Sequence, residues 1–144
     1  MAIFYRFCVP IVVLCLPMAA ARADDGDDTL RYYLSKSSLV VSGKIVEGPR
    51  ARILSGVIYV SLKLKVTKVI KGEADGDILV GLTRYRSKDE PLPEVMKKPG
   101  SVILFLNKGK LNPEIGGWVG ADPWFAIQPY NSVLERSLAR VHAE

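Results

Sequence analysis

The sequence predicts a mainly β fold, a small five-stranded OB-like barrel with a short N-terminal helix and a C-terminal amphipathic helix. Two observations carry this. Ile58, Val60, Leu62, Leu64 and Val66 alternate with Tyr59, Ser61, Lys63, Lys65 and Thr67, which is the pattern of a long strand with one face in a core and one in water. Val102 to Leu106 is continuously apolar, so that strand needs cover on both faces. A flat open sheet would leave both strands short of cover, whereas a closed ring flanked by helices supplies it.

Before the first element stands a leader. Arg6 and the amino terminus give a positive start, Phe7 to Leu16 an apolar run, and Ala21-Arg22-Ala23 a cleavage signal ahead of Asp24. The run is far shorter than the ~20 residues of a membrane-crossing helix, and Pro10 and Pro17 interrupt it. Cys15 follows bulky Leu14, which does not suit lipidation. Residues 1–23 are therefore expected to be a cleavable signal peptide, giving a periplasmic or secreted protein with no stable membrane anchor after cleavage. Cleavage removes Cys8 and Cys15, the two cysteines of the chain. That excludes thiol nucleophiles, thiolate zinc sites and redox chemistry in the mature protein.

Residues 24–28 are expected to form an acidic flexible terminus, built on Asp24, Asp25, Asp27 and Asp28, ahead of a single domain over residues 29–144. The whole chain carries 20 Lys and Arg against 15 Asp and Glu, a formal net charge of +5, so the body behind the acidic tip is basic. Such a balance suits anionic partners, such as envelope polysaccharide or lipid head groups, and equally suits ordinary solvation.

In chain order, Asp28-Thr29 caps a short helix with Leu30, Tyr33 and Leu34 on one side. Leu39 to Val46 is the first strand, ended by Gly48-Pro49, and the alternating segment is the second. A turn over Lys71 to Asp77 leads to a third strand, Ile78 to Leu82. Arg84 to Gly100, with Pro91, Pro93 and Pro99, reads as a long surface loop before the fourth strand, Ser101 to Leu106. Leu111 to Gly120, centred on Gly116-Gly117, reads as irregular, and Trp124 to Gln128 as the fifth strand. Ser132-x-x-Glu135 is a capping-box pattern opening the last helix, whose Leu134, Leu138 and Val141 share a face while Arg136 and Arg140 point out.

Leu39-Val40-Val41-Ser42-Gly43-Lys44-Ile45, Leu64-x-Val66-x-x-Val69-Ile70-Lys71-Gly72 and Gly100-Ser101-Val102-Ile103-Leu104-Phe105-Leu106 together resemble a group of mostly uncharacterised exported bacterial proteins over residues 38–107. A more distant likeness is to the netrin-like OB barrels that include tissue inhibitors of metalloproteinases. In those the inhibitory group is a cysteine at the mature terminus, and Asp24 stands at that point here, so the likeness does not bring inhibition with it.

Trp118, Asp122, Trp124 and Phe125 form one candidate binding site. Aromatic faces beside Gly and Pro can stack on sugar rings, and Asp122 can hold a hydroxyl; the same rings can instead plug the barrel end. A second candidate is the basic and aromatic set Tyr59, Lys63, Lys65, Arg84, Tyr85 and Arg86, with Arg50, Arg52 and Lys88 nearby. OB-like barrels bind oligosaccharides or oligonucleotides there, and outward lysines also keep strand edges apart. His142, the one histidine, sits near the carboxyl end, unsuited to a sheltered triad. No spacing selects a pair among Glu47, Glu94, Glu114 and Asp122, no metal-ligand register is present, and no cofactor motif is found. The expectation is an exported, non-enzymatic binding or protein-interaction module for an envelope or extracellular protein or glycan. Export argues against nucleic acid. An inhibitor of an extracellular hydrolase and a carboxylate-based enzyme are the alternatives.

Overall fold

The computed structural model describes residues 26–85, 93–112 and 115–144. The leader, Asp24, Asp25, Arg86 and Lys88 lie outside them, as does Glu114. The elements are α1 (residues 26–36), β1 (Leu39–Leu54), β2 (Val57–Lys71), β3 (Asp77–Tyr85), a 3-10 turn (Glu94–Met96), β4 (Ser101–Asn112), β5 (Ile115–Gly120), β6 (Ile127–Pro129) and α2 (Ser132–Ala143).

Alternation in β2 becomes a physical inside and outside. Ile58, Val60, Leu62 and Leu64 are buried, together with Ile78, Val80 and Leu82 of β3 and Val102, Leu104 and Leu106 of β4. The strands follow the order β1-β2-β3-β5-β4, and β4 pairs back onto β1, so five strands close into a ring. The contact of β3 with β5 is parallel and the other ring contacts are antiparallel. Mainly β, OB-like and flanked by a helix at each end, this is the predicted fold class.

The helices cover the outer side of β1 and β4. Leu34 of α1 and Leu138 and Val141 of α2 pack with Val40, Ile103, Phe105 and Phe125 in a second core. Strand β4 is therefore buried on both faces from Val102 to Leu106, as its unbroken apolar run requires. Tyr33 stacks on Phe125 with ring centroids 4.1 Å apart.

Several boundaries differ from expectation, each for a local reason. Strand β1 does not end at Gly48-Pro49; register shifts between Ile45, Glu47 and Arg50 absorb the pair as bulges, and the strand runs on to Leu54. It then reverses through Ser55 and Gly56, whose φ of 50° and 77° suit a tight hairpin. Strand β4 continues through Lys108, Gly109 and Lys110, and Ile115–Gly120 is the fifth ring strand rather than irregular chain. The predicted fifth strand, Trp124 to Gln128, supplies only the short β6 that pairs with Val102 to Leu104 of β4. Cross-strand pairing with β4 holds Gly116, Gly117 and Gly120 in a hairpin.

The expected surface loop after Arg84 contains a core residue, because the 3-10 turn buries Met96 in the inner core. Helix α1 starts earlier than expected and includes Asp27 and Asp28. Asp27 accepts hydrogen bonds from Arg140 at 2.8 and 3.2 Å, and Arg31 donates to Asp28 and Glu144. The cap of α2 is Asn131, whose side chain accepts from the N–H groups of Val133 and Leu134; Ser132 is the first helical residue.

Candidate functional site

Directly opposite residues of antiparallel strands share a face, so the register of β1, β2 and β3 places the outward side chains in rows. Arg52, Tyr59 and Thr83 form one row. Arg50, Ser61 and Gly81 form the next, followed by Glu47, Lys63 and Leu79, and then by Lys44, Lys65 and Asp77. The small Ser61 and Gly81 lower the middle, and beside them lies a shallow hollow of about 160 Å³ lined by Glu47, Gly48, Arg50, Ser61, Leu62, Lys63 and Leu79.

Five cations meet two acids on this face. Lys63 pairs with Glu47 at 3.4 Å, while Lys44, Arg50, Arg52 and Lys65 have no acidic partner among the described residues. Tyr59 is 37% exposed and Tyr85 59% exposed, and neither ring contacts another aromatic ring among the described residues. The arrangement offers ring faces and uncompensated positive charge on one rigid surface.

At the rim, Arg84 places its guanidinium 5.8 Å from the centroid of the Trp124 ring. Trp124 is 60% exposed, and its backbone N–H donates to the Asp122 carboxylate at 2.7 Å. Trp118 behaves differently: it is half-buried against the inner core, with the Lys108 ammonium 6.0 Å from its ring centroid. Phe125 is buried in the outer core between Tyr33 and Phe105. Trp118, Trp124 and Phe125 therefore do not make one stacking platform. The turn between β5 and β6 sends neighbouring rings to different places, and Asp122 orients backbone. Tyr59, Lys63, Lys65 and Tyr85 do come together on the outer face of β2 and β3, whereas Arg84 stands opposite inward-facing Ile58 and Arg86 lies outside the described residues.

The carboxylates considered for catalysis are held in separate local contacts. Glu47 meets Lys63, and Asp122 accepts from Trp124. Glu94 accepts from Lys97 and lies near Lys98, and the hydrogen bond from Lys97 holds its carboxyl below the ordinary glutamate value. No group of three or more His, Cys, Asp or Glu side chains able to hold a metal occurs among the described residues. No helix among them is long and apolar enough to cross a membrane.

One polar cluster was missed in the sequence. Ser42, fully buried on β1, donates its hydroxyl hydrogen to Glu135, and Lys68 lies 3.5 Å from the other oxygen of that carboxylate. Thr67 donates to the Ser42 carbonyl oxygen at 3.1 Å. A cavity of about 290 Å³ adjoins these groups, lined by Gly43, Thr67, Lys68, Ser101, Tyr130 and Glu135. Because Ser42 is closed off from solvent, the cluster docks α2 onto the sheet rather than presenting a nucleophile. Ser132-x-x-Glu135 reads locally as a cap, which masks the long-range role of Glu135.

Comparison of the whole chain with family models, with curated proteins and with solved structures gives no match.

Proposed function

We propose that this chain is an exported, non-enzymatic binding module that holds an anionic, chain-like partner across the outer face of β1, β2 and β3. The observation that carries the reading is the grouping of Lys44, Arg50, Arg52 and Lys65, without acidic partners among the described residues, beside exposed Tyr59 and Tyr85. Charge draws in the partner, and the tyrosine faces and the hollow beside Ser61 give it shape. The export reading supports an envelope or extracellular partner over nucleic acid.

Titration with dextran sulfate and with poly-L-glutamate, against neutral dextran, tests the proposal. Both polyanions are expected to bind, with affinity falling as salt rises. Arg52→Glu and Lys65→Glu should each weaken binding by about three- to ten-fold. Equal binding of neutral dextran, or no effect of either charge reversal, overturns it.

A further inference from the structure

The two strands of the long hairpin are unequally paired. Strand β4 accompanies β1 only from Leu39 to Lys44, and the Ile45 N–H then donates to the Gly100 carbonyl at 2.9 Å. Beyond that point β1 runs to Leu54 with only β2 as a neighbour among the described residues. Its side chains are open to solvent: Val46 is 46%, Ile53 54% and Leu54 52% exposed. Pro49 has no N–H and the bulges before Arg50 break the ladder, so the continuous edge that can template another strand is Arg50 to Leu54.

The side chains along this edge are sorted by face. Arg50 and Arg52 stand opposite Ser61 and Tyr59, on the outer side of the sheet. Ala51 and Ile53 stand opposite Val60 and Ile58, on the inner side. An added strand would set alternate side chains beside the two arginines and the intervening ones beside Ala51 and Ile53. Antiparallel pairing of two copies centred on Ala51 would bring Arg50 of each chain against Arg52 of the other, and like charges oppose that union. Acidic residues in those places would form ion pairs instead.

We propose that the edge of β1 from Arg50 to Leu54 accepts an extended strand of a protein partner in which acidic and apolar residues alternate. The inference rests on the reading of the outer face as an anion-binding surface and specifies the partner and its mode of attachment.

The test uses fluorescent peptides of about seven residues, long enough to cover the open edge from Arg50 to Leu54. One alternates Glu and Val, one has the same composition with Glu and Val in separate blocks, and one alternates Lys and Val. Anisotropy measures affinity, and hydrogen exchange with each peptide bound maps the contact. The alternating acidic peptide should bind about ten-fold more tightly than the block peptide and should slow amide exchange within residues 50–54. Arg50→Glu with Arg52→Glu should reverse the preference toward the Lys-Val peptide. Equal binding of alternating and block peptides, or unchanged exchange at 50–54, overturns the edge inference while binding of poly-L-glutamate leaves the outer-face reading standing. Failure of poly-L-glutamate to bind removes both. Slowed exchange at 50–54 on raising protein concentration alone would assign the edge to a second copy and would also overturn the proposal.

Discussion

The carboxylate of Glu135 on α2 accepts the hydroxyl hydrogen of Ser42 on β1, joining two residues far apart in sequence at a point closed to solvent. Removing either partner leaves the other group poorly satisfied. Glu135→Ala and Ser42→Ala are each expected to lower stability by about 1–3 kcal/mol. The double variant Ser42→Ala with Glu135→Ala should lose less than the sum, because no buried hydroxyl then lacks an acceptor. Urea unfolding of the four proteins in the cycle checks this.

Close approach of β1 to β2 sets a second expectation. A Cβ at Gly43 would lie 2.4 Å from the Lys65 carbonyl oxygen, and backbone cannot easily yield, whereas a Cβ at Gly100 meets nothing within 4 Å. Gly43→Ala should destabilise the protein by about 2–3 kcal/mol. Gly100→Ala should change it by no more than about 0.5 kcal/mol. Thermal unfolding of the pair separates a steric effect from a general intolerance of alanine in place of glycine.

The rings between β5 and β6 should respond as their burial dictates. Phe125→Ala is expected to cost about 3–5 kcal/mol, since it empties a space between Tyr33 and Phe105. Trp124→Ala should alter stability by less than about 0.5 kcal/mol. Denaturant midpoints of the two variants provide the comparison.

Acid should loosen the contact between the two helices. The hydrogen bonds from Arg140 hold the Asp27 carboxyl below its ordinary value, so the bonded carboxylate stabilises the fold above the unfolded-state value near 3.8. That contribution is lost as pH falls through the lower, folded-state value. Amide exchange in α1, corrected for the intrinsic pH dependence, should speed up relative to β4 over that acid range, and Asp27→Asn should remove most of the difference.

The fold was legible where burial and local pattern agree. Alternation from Ile58 to Val66 marked β2, the unbroken apolar run of β4 marked a strand covered twice, and the spacing of Leu134, Leu138 and Val141 marked the buried side of α2. It was illegible where tertiary pairing overrides local preference. Ile115–Gly120 contains three glycines and is a strand because β4 and β3 flank it. The outer face was readable because Tyr59, Lys63 and Lys65 lie on one strand at a period of two. Arg50 and Arg52 join it only through a register that two bulges set. Trp118, Trp124 and Phe125 show the converse, since adjacency along a turn does not make a shared surface.

The most direct test of the proposed binding face is a residue-resolved NMR titration of the isotope-labelled protein with poly-L-glutamate at low salt. Shift changes concentrated at Arg50, Arg52, Tyr59, Lys65 and Tyr85, and reversed by added salt, are the predicted result. Changes confined to α2, or spread evenly over the surface with no concentration at those five residues, would contradict it.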